Sequence, residues 1–161
     1  MRRFASVDEV RPIETFEDAY RRHRREVVQL AWLLTHDRAG AEDLAHDAFA
    51  SLFEAFGRVE SPGAYLRRSV VNGVYQRSRS RQREQRRNGL MIAGDPRAVA
   101  GPTGGVADVI AGLPIDQRTA VVLRYWGGLR DHEIADAMGI RPGTARSHLS
   151  RATTRLREEL L

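Results

Sequence analysis

Apolar residues in this 161-residue chain recur at steps of three and four, and no stretch shows the strict alternation of a half-buried strand. The expected fold class is therefore all-α. Phe16, Ala19, Tyr20, His23, Val27, Leu30, Ala31 and Leu34 form one stripe of a long helix, which Thr15 opens with Asp18 as a capping box. A second helix, AGAEDLAHDAFASLFEAF, turns Ala41, Leu44, Ala45, Ala48, Leu52 and Ala55 inward and is expected to stop at Gly57. The third runs from about Ala64, with Tyr65, Leu66, Val70, Val71 and Val74 as its apolar content, into SRSRQREQRR, where no apolar residue marks an end. RNGLMIAGDPRAVAGPTGG then has the composition of a linker. Apolar periodicity resumes at Val106, predicting helices at about 106–112, 115–125, 131–138 and 142–158. The expected organisation is a tail at 1–12, a helical module at 13–85, a flexible linker at 86–105 and a second small helical module at 106–161.

Several function classes drop out early. No apolar run approaches the roughly 18 residues of a membrane span, and Arg2 and Arg3 at the start of MRRFASVDEVRPIE precede no apolar secretory segment. Without cysteine, disulfides and thiolate metal sites are excluded. A cytoplasmic protein without a membrane partner is expected.

The net charge is +5, and every basic residue counted in it is arginine, the better fork for phosphate and guanine. Residues 65–87 hold eight arginines against Glu84, and residues 141–157 hold five and no acid. Residues 40–60 reverse the sign, with Glu42, Asp43, Asp47, Glu54 and Glu60 against Arg58. Two basic segments and one acidic one predict two nucleic-acid contacts and a different kind of partner between them.

The clearest local signal is EIADAMGIRPGTARSHLSRA, residues 133–152, where two helical phases are separated by Gly139, Pro142 and Gly143. Asp131 is the expected N-cap of the first helix, Gly139 its left-handed closing residue, and Pro142 the first turn of the next. On that next helix Ala145, Leu149, Ala152 and Leu156 must face the core, which leaves Thr144, Arg146, Ser147, Ser150, Arg151 and Thr154 around an outer face. Hydroxyls and guanidiniums without an acid suit phosphates and base edges in a major groove, as in a helix-turn-helix. A solvated polar helical hairpin is the competing reading.

At this point a family resemblance can be placed on particular residues. LPIDQRTAVVLRYWGGLRDHEIADAMGIRPGTARSHLSRATTRLREEL, residues 113–160, resembles the minus-thirty-five-binding region of extracytoplasmic-function (ECF) sigma factors of bacterial RNA polymerase. LuxR-type regulators share its second half. GAEDLAHDAFASLFEAF followed by SPGAYLRRSVVNGVYQRSRSR resembles the family's polymerase-binding and minus-ten-binding helices, in the family's order. The resemblance implies a sigma factor that binds core RNA polymerase and directs promoter-specific initiation.

Carried over position by position, it implies that Glu42, Asp43, His46, Asp47, Phe49 and Phe53 dock on the clamp helices of the largest polymerase subunit. An acidic face with aromatics agrees with that role. His46 stands where the family often has glutamine and Phe53 where tryptophan is common. For the minus-ten strand it implies Arg58, Glu60 and Ser61 in the loop, with Tyr65, Arg68, Asn72, Gln76 and Arg79 on one helix face; a base swung from the duplex needs such a polar-edged pocket. Tyr75 stands open between core packing and stacking. Arg77, Arg79, Arg81, Arg83, Arg86 and Arg87 are assigned to phosphates. For the minus-thirty-five element it implies Thr144, Arg146, Ser147 and Arg151, with His148 and Arg155 at the edge, and Arg146 or Arg151 on guanine. An anti-sigma factor is a further partner that the family often has.

Two alternatives belong to other classes. A stand-alone helix-turn-helix regulator leaves the acidic second helix unexplained. A metal-dependent enzyme built on His46 with Asp47, or His132 with Glu133, lacks the spacing, because neighbours one apart diverge on a helix. No HExxH, Walker or Gly-rich phosphate loop is present, so neither cofactor nor metal is expected.

Overall fold

The computed structural model of the chain describes residues 13–89 and 105–161. The tail at 1–12 and linker positions 90–104 lie outside the described residues. Helix α1, Phe16–Thr35, is followed by α2, Arg38–Ala55, a 3-10 turn at Phe56–Arg58, and α3, Pro62–Arg87. The second module holds α4, Val106–Gly112, α5, Ile115–Val121, α6, Asp131–Met138, and α7, Pro142–Leu160, with one π turn, Val122–Trp126, extending α5. Among the described residues no helix is long and apolar enough to cross a membrane.

Local chemistry sets most boundaries. Thr15 and Asp18 form the capping box on α1, and these bonds hold the Asp18 carboxyl below its ordinary range. His36 closes α1 in the left-handed region, φ 51°, and its amide donates to Trp32 O at 2.7 Å. Helix α2 stops at Ala55, before Gly57, because the 3-10 turn carries the chain through that glycine. Helix α3 starts two residues earlier than expected: Ser61 caps it and Pro62 takes its first turn, where a missing amide costs nothing. It also runs on to Arg87, past residue 85 and without an apolar anchor.

The π turn replaces the end of a continuous helix. Gly127 N–H donates to Val122 O at 3.1 Å, and a Cβ on Gly127 would lie 2.7 Å from Leu123 O, so only glycine fits there. The extra residue keeps Val122 and Leu123 buried and turns Tyr125 out to solvent.

The two modules share one core. Leu30, Leu34, Leu66, Val70 and Val71 of the first module belong to the same buried apolar cluster as Leu123, Ile134, Ala135 and Met138 of the second. The contact joins α3 to α6 and α1 to α5. Polar bonds cross it too. The buried Arg118 guanidinium on α5 donates to Leu34 O at the end of α1 (2.8 Å), and Arg68 Nε on α3 donates to Asp136 O on α6 (3.2 Å).

Tyr75 belongs to this seam. It packs against the core, and burial together with a hydrogen bond to the Asp116 carboxylate of α5 pushes its phenol above the ordinary 10.0. A phenol whose pKa is raised on folding contributes stability that is full below its unfolded value and is lost as pH rises. Denaturant midpoints of wild type should therefore fall more steeply above pH 10 than those of Tyr75→Phe. Parallel midpoints for the two proteins across that range would contradict this placement.

Candidate nucleic-acid interface

Helix α7 is set on its course by Gly139 at φ 68°, whose amide donates to Asp136 O, and by Pro142 at the first position. Ile140 N–H donates to Ala135 O at 3.0 Å, which completes the turn of a helix-turn-helix between α6 and α7. The cap of α6 differs from expectation. Arg130 is the N-cap, and its amide donates at 2.8 Å to Glu133 Oε2, a bond that lowers the Glu133 pKa. Asp131 is instead the first helical residue, with its carboxylate turned to arginines.

Ala145 and Ala152 are fully buried on α7 and Leu149 and Leu156 half-buried, as the stripe predicted. Thr144, Arg146, Ser147, Arg151 and Arg155 are exposed on its remaining surface. His148 departs from them: it is half-buried, and its Nδ1 is enclosed without a hydrogen-bond partner among the described residues. Ser147 Oγ donates back to Gly143 O at 3.1 Å, so outward it acts as an acceptor. Arg155 Nε lies 3.9 Å from Glu159 Oε1.

Helix α3 presents Asn72, Gln76 and Arg79 to solvent, and Asn72 and Gln76 line a polar groove against α2 with Asp47, Ser51 and Ser69. Gly73 forms its floor, since a Cβ there would lie 2.5 Å from Leu44 Cδ2 and push the helices apart. Other predicted residues have structural employment. Tyr65 is half-buried, with its hydroxyl 2.6 Å from Ser51 Oγ, so it struts α2 against α3. Ser61 Oγ accepts the Ala64 amide as the helix cap, Arg68 engages Asp136 O, and Arg77 donates to Gly40 O at 3.2 Å. Arg58 and Glu60 are exposed in the loop.

On α2, Glu42, Asp43, His46 and Asp47 are exposed and Phe53 is 66% exposed. Phe49 is the exception at 5%, lying under Tyr20 with ring centroids 4.8 Å apart. It supports the surface from beneath. Phe16, 5.0 Å from Phe53 edge to face, and the exposed Tyr20 extend this aromatic patch from α1. Sequence periodicity placed both in the core stripe; Phe16 does pack partly against the core there, while Tyr20, one turn on, is exposed.

Comparison with known proteins agrees with this geometry. Residues 19–84 match the family described as Sigma-70 region 2, and residues 105–156 match Sigma-70, region 4. The chain is 32% identical over 152 residues to the RNA polymerase sigma-E factor of Streptomyces coelicolor, covering 91% of this chain and 86% of that protein. It is 31% identical over 150 residues to the ECF RNA polymerase sigma factor SigM of Mycobacterium tuberculosis, covering 88% and 74%. Among solved structures, the sigma factor RpoE of Bartonella quintana, in complex with the anti-sigma factor NepR, superposes with a TM-score of 0.75 at 26% identity, over 92% of this chain and 98% of that one. An acidic helix, an arginine-bearing helix and a helix-turn-helix in this order, matched over both modules, place the chain in the sigma-70 family as an extracytoplasmic-function sigma factor, a protein that directs RNA polymerase to promoters.

Proposed function

We propose that the exposed acids of α2, Glu42, Asp43 and Asp47, with His46 and Phe53, dock on the clamp helices of the largest polymerase subunit, and that Phe49 shapes this surface from below. On this reading Asn72, Gln76 and Arg79 of α3, with Arg58 and Ser61, hold the melted minus-ten strand once Arg68 is released from α6. Thr144, Arg146, Ser147 and Arg151 of α7 read the minus-thirty-five element, with His148 and Arg155 at the margin. The single observation carrying this is the opposed chemistry of two exposed helix faces in one chain: acidic and aromatic on α2, hydroxyl and guanidinium on α7. The role is recruitment in the cytoplasm, where polymerase and chromosome lie, and the bond-making belongs to the polymerase.

Two promoter elements one and a half to two turns apart are separated by roughly 50 to 70 Å. On this reading the modules part on the holoenzyme to reach both elements, and the eighteen residues at 88–105, beyond the end of α3, reach at most about 60 Å. We assign the closed arrangement to the chain without polymerase. A relative solved with an anti-sigma factor superposes over both modules together, which supports an anti-sigma factor as a second partner that holds this arrangement.

Run-off transcription with purified core polymerase tests the reading. Wild type should direct discrete start sites, and the double variant Asp43→Ala, Asp47→Ala should lose about tenfold or more in apparent affinity for core, since charge pairs at interfaces are worth a few kcal/mol together. Normal core binding by that variant would refute the dock. Promoter binding as tight without polymerase as with it would favour the stand-alone regulator.

A further inference from the structure

Asp131 opens α6 beside the N-terminal half of α7, within reach of two arginines. One carboxylate oxygen accepts from Arg124 Nη2 on the π turn, and the other lies 3.7 Å from Arg146 Nη1 on α7. A Cβ on Gly143 would meet Arg146 Nη2 at 3.8 Å, so the guanidinium lies back along the first turn of its own helix. The Arg146 side chain is 65% exposed, whereas Arg124 and Asp131 are 32% exposed each. One acid thus ties two arginines from two different elements to the start of the helix-turn-helix.

We infer that Asp131 is a positioning residue for upstream-element specificity: its carboxylate holds Arg146 and Arg124 as a pair and presents the Arg146 fork in one pose. The inference rests on the reading of α7 as the upstream reader. An arginine side chain carries about 2 kcal/mol of rotamer entropy, and a tethered one has surrendered part of it before DNA arrives. Two untethered guanidiniums reach phosphates anywhere on a duplex, which raises affinity without discrimination. A carboxylate beside the groove also repels phosphates that approach out of register, so it acts against wrong sequences as well as for the right one. Stability does not account for the arrangement, since partly exposed ion pairs contribute about 0 to 1 kcal/mol.

The test uses the full chain with core polymerase on promoter fragments carrying an intact or a scrambled upstream element, titrated across a salt series. For Asp131→Asn the ratio of affinities, intact over scrambled, should fall about tenfold, within the range one bidentate base contact provides. Affinity for the scrambled fragment should rise, and the salt dependence should steepen by about one to two phosphate equivalents as two guanidiniums are freed. Asp131→Glu should restore most of the ratio. An unchanged ratio and slope would overturn the inference, and so would a parallel loss on both fragments, the mark of a purely structural role. A wild-type ratio near one would instead remove the reading of α7 itself, and this inference with it, whereas a wild-type ratio lost in Arg151→Ala keeps the two separable.

Discussion

A cross-link between positions 68 and 136 should abolish transcription from promoters that need both elements. The chain has no cysteine, so Arg68→Cys with Asp136→Cys supplies the only two thiols. Both positions are exposed, and the wild-type Arg68 side chain already reaches the Asp136 carbonyl. Bridged by a cleavable bismaleimide, the modules cannot separate, and a two-site binder whose geometry forbids simultaneous engagement loses about 100-fold or more. Cleaving the bridge should restore activity in the same sample, which cancels the effect of losing Arg68 itself. Full activity of the bridged protein would show that both elements are reached without parting and would end the opening argument.

Replacing Arg118 by alanine carries the largest expected cost in stability. The residue is 4% exposed, and besides the bond to Leu34 O its Nη2 donates to Ala111 O at 2.7 Å and Leu113 O at 3.1 Å. Truncation strands these buried and part-buried carbonyls, the first belonging to α1, the second to the last turn of α4 and the third to the α4–α5 connection, for about 3 to 5 kcal/mol. Denaturant unfolding of the full chain should register that loss. Small-angle scattering should show the radius of gyration rising above the roughly 15 Å of a compact chain of this length. Arg118→Lys should fall between, because one ammonium lacks the fork that reaches carbonyls on both sides. An unmoved midpoint in Arg118→Ala would show that the apolar contact alone holds the modules.

Much of the helical framework could be read from neighbours along the chain. Thr15 with Asp18, Gly139 and Pro142 act through bonds or torsions within four residues, so their effect on α1, α6 and α7 is local and visible in sequence. The π turn was not legible, because Gly127 is required by the carbonyl of Leu123, a contact that exists only once the helix has already bent. Among site residues, charge and helical phase correctly placed Asp43, Asp47, Asn72, Arg146 and Arg151 on exposed surface. Neither signal shows that Phe49, Tyr65 and Ser61, which the resemblance named, also answer to Tyr20, Ser51 and the Ala64 amide.

Sequence alone determined an all-helical chain in two modules, with acid concentrated on α2 and arginine on α3 and α7, because helical period and charge are properties of residues a few positions apart. Tertiary structure alone decided that the modules share a core, that Arg118 and Tyr75 lie in the seam, and that Asp131 faces two arginines rather than capping its helix. Those outcomes depend on pairs such as Leu34 with Arg118, distant along the chain, whose meeting is set by which apolar faces remain uncovered after each module has folded.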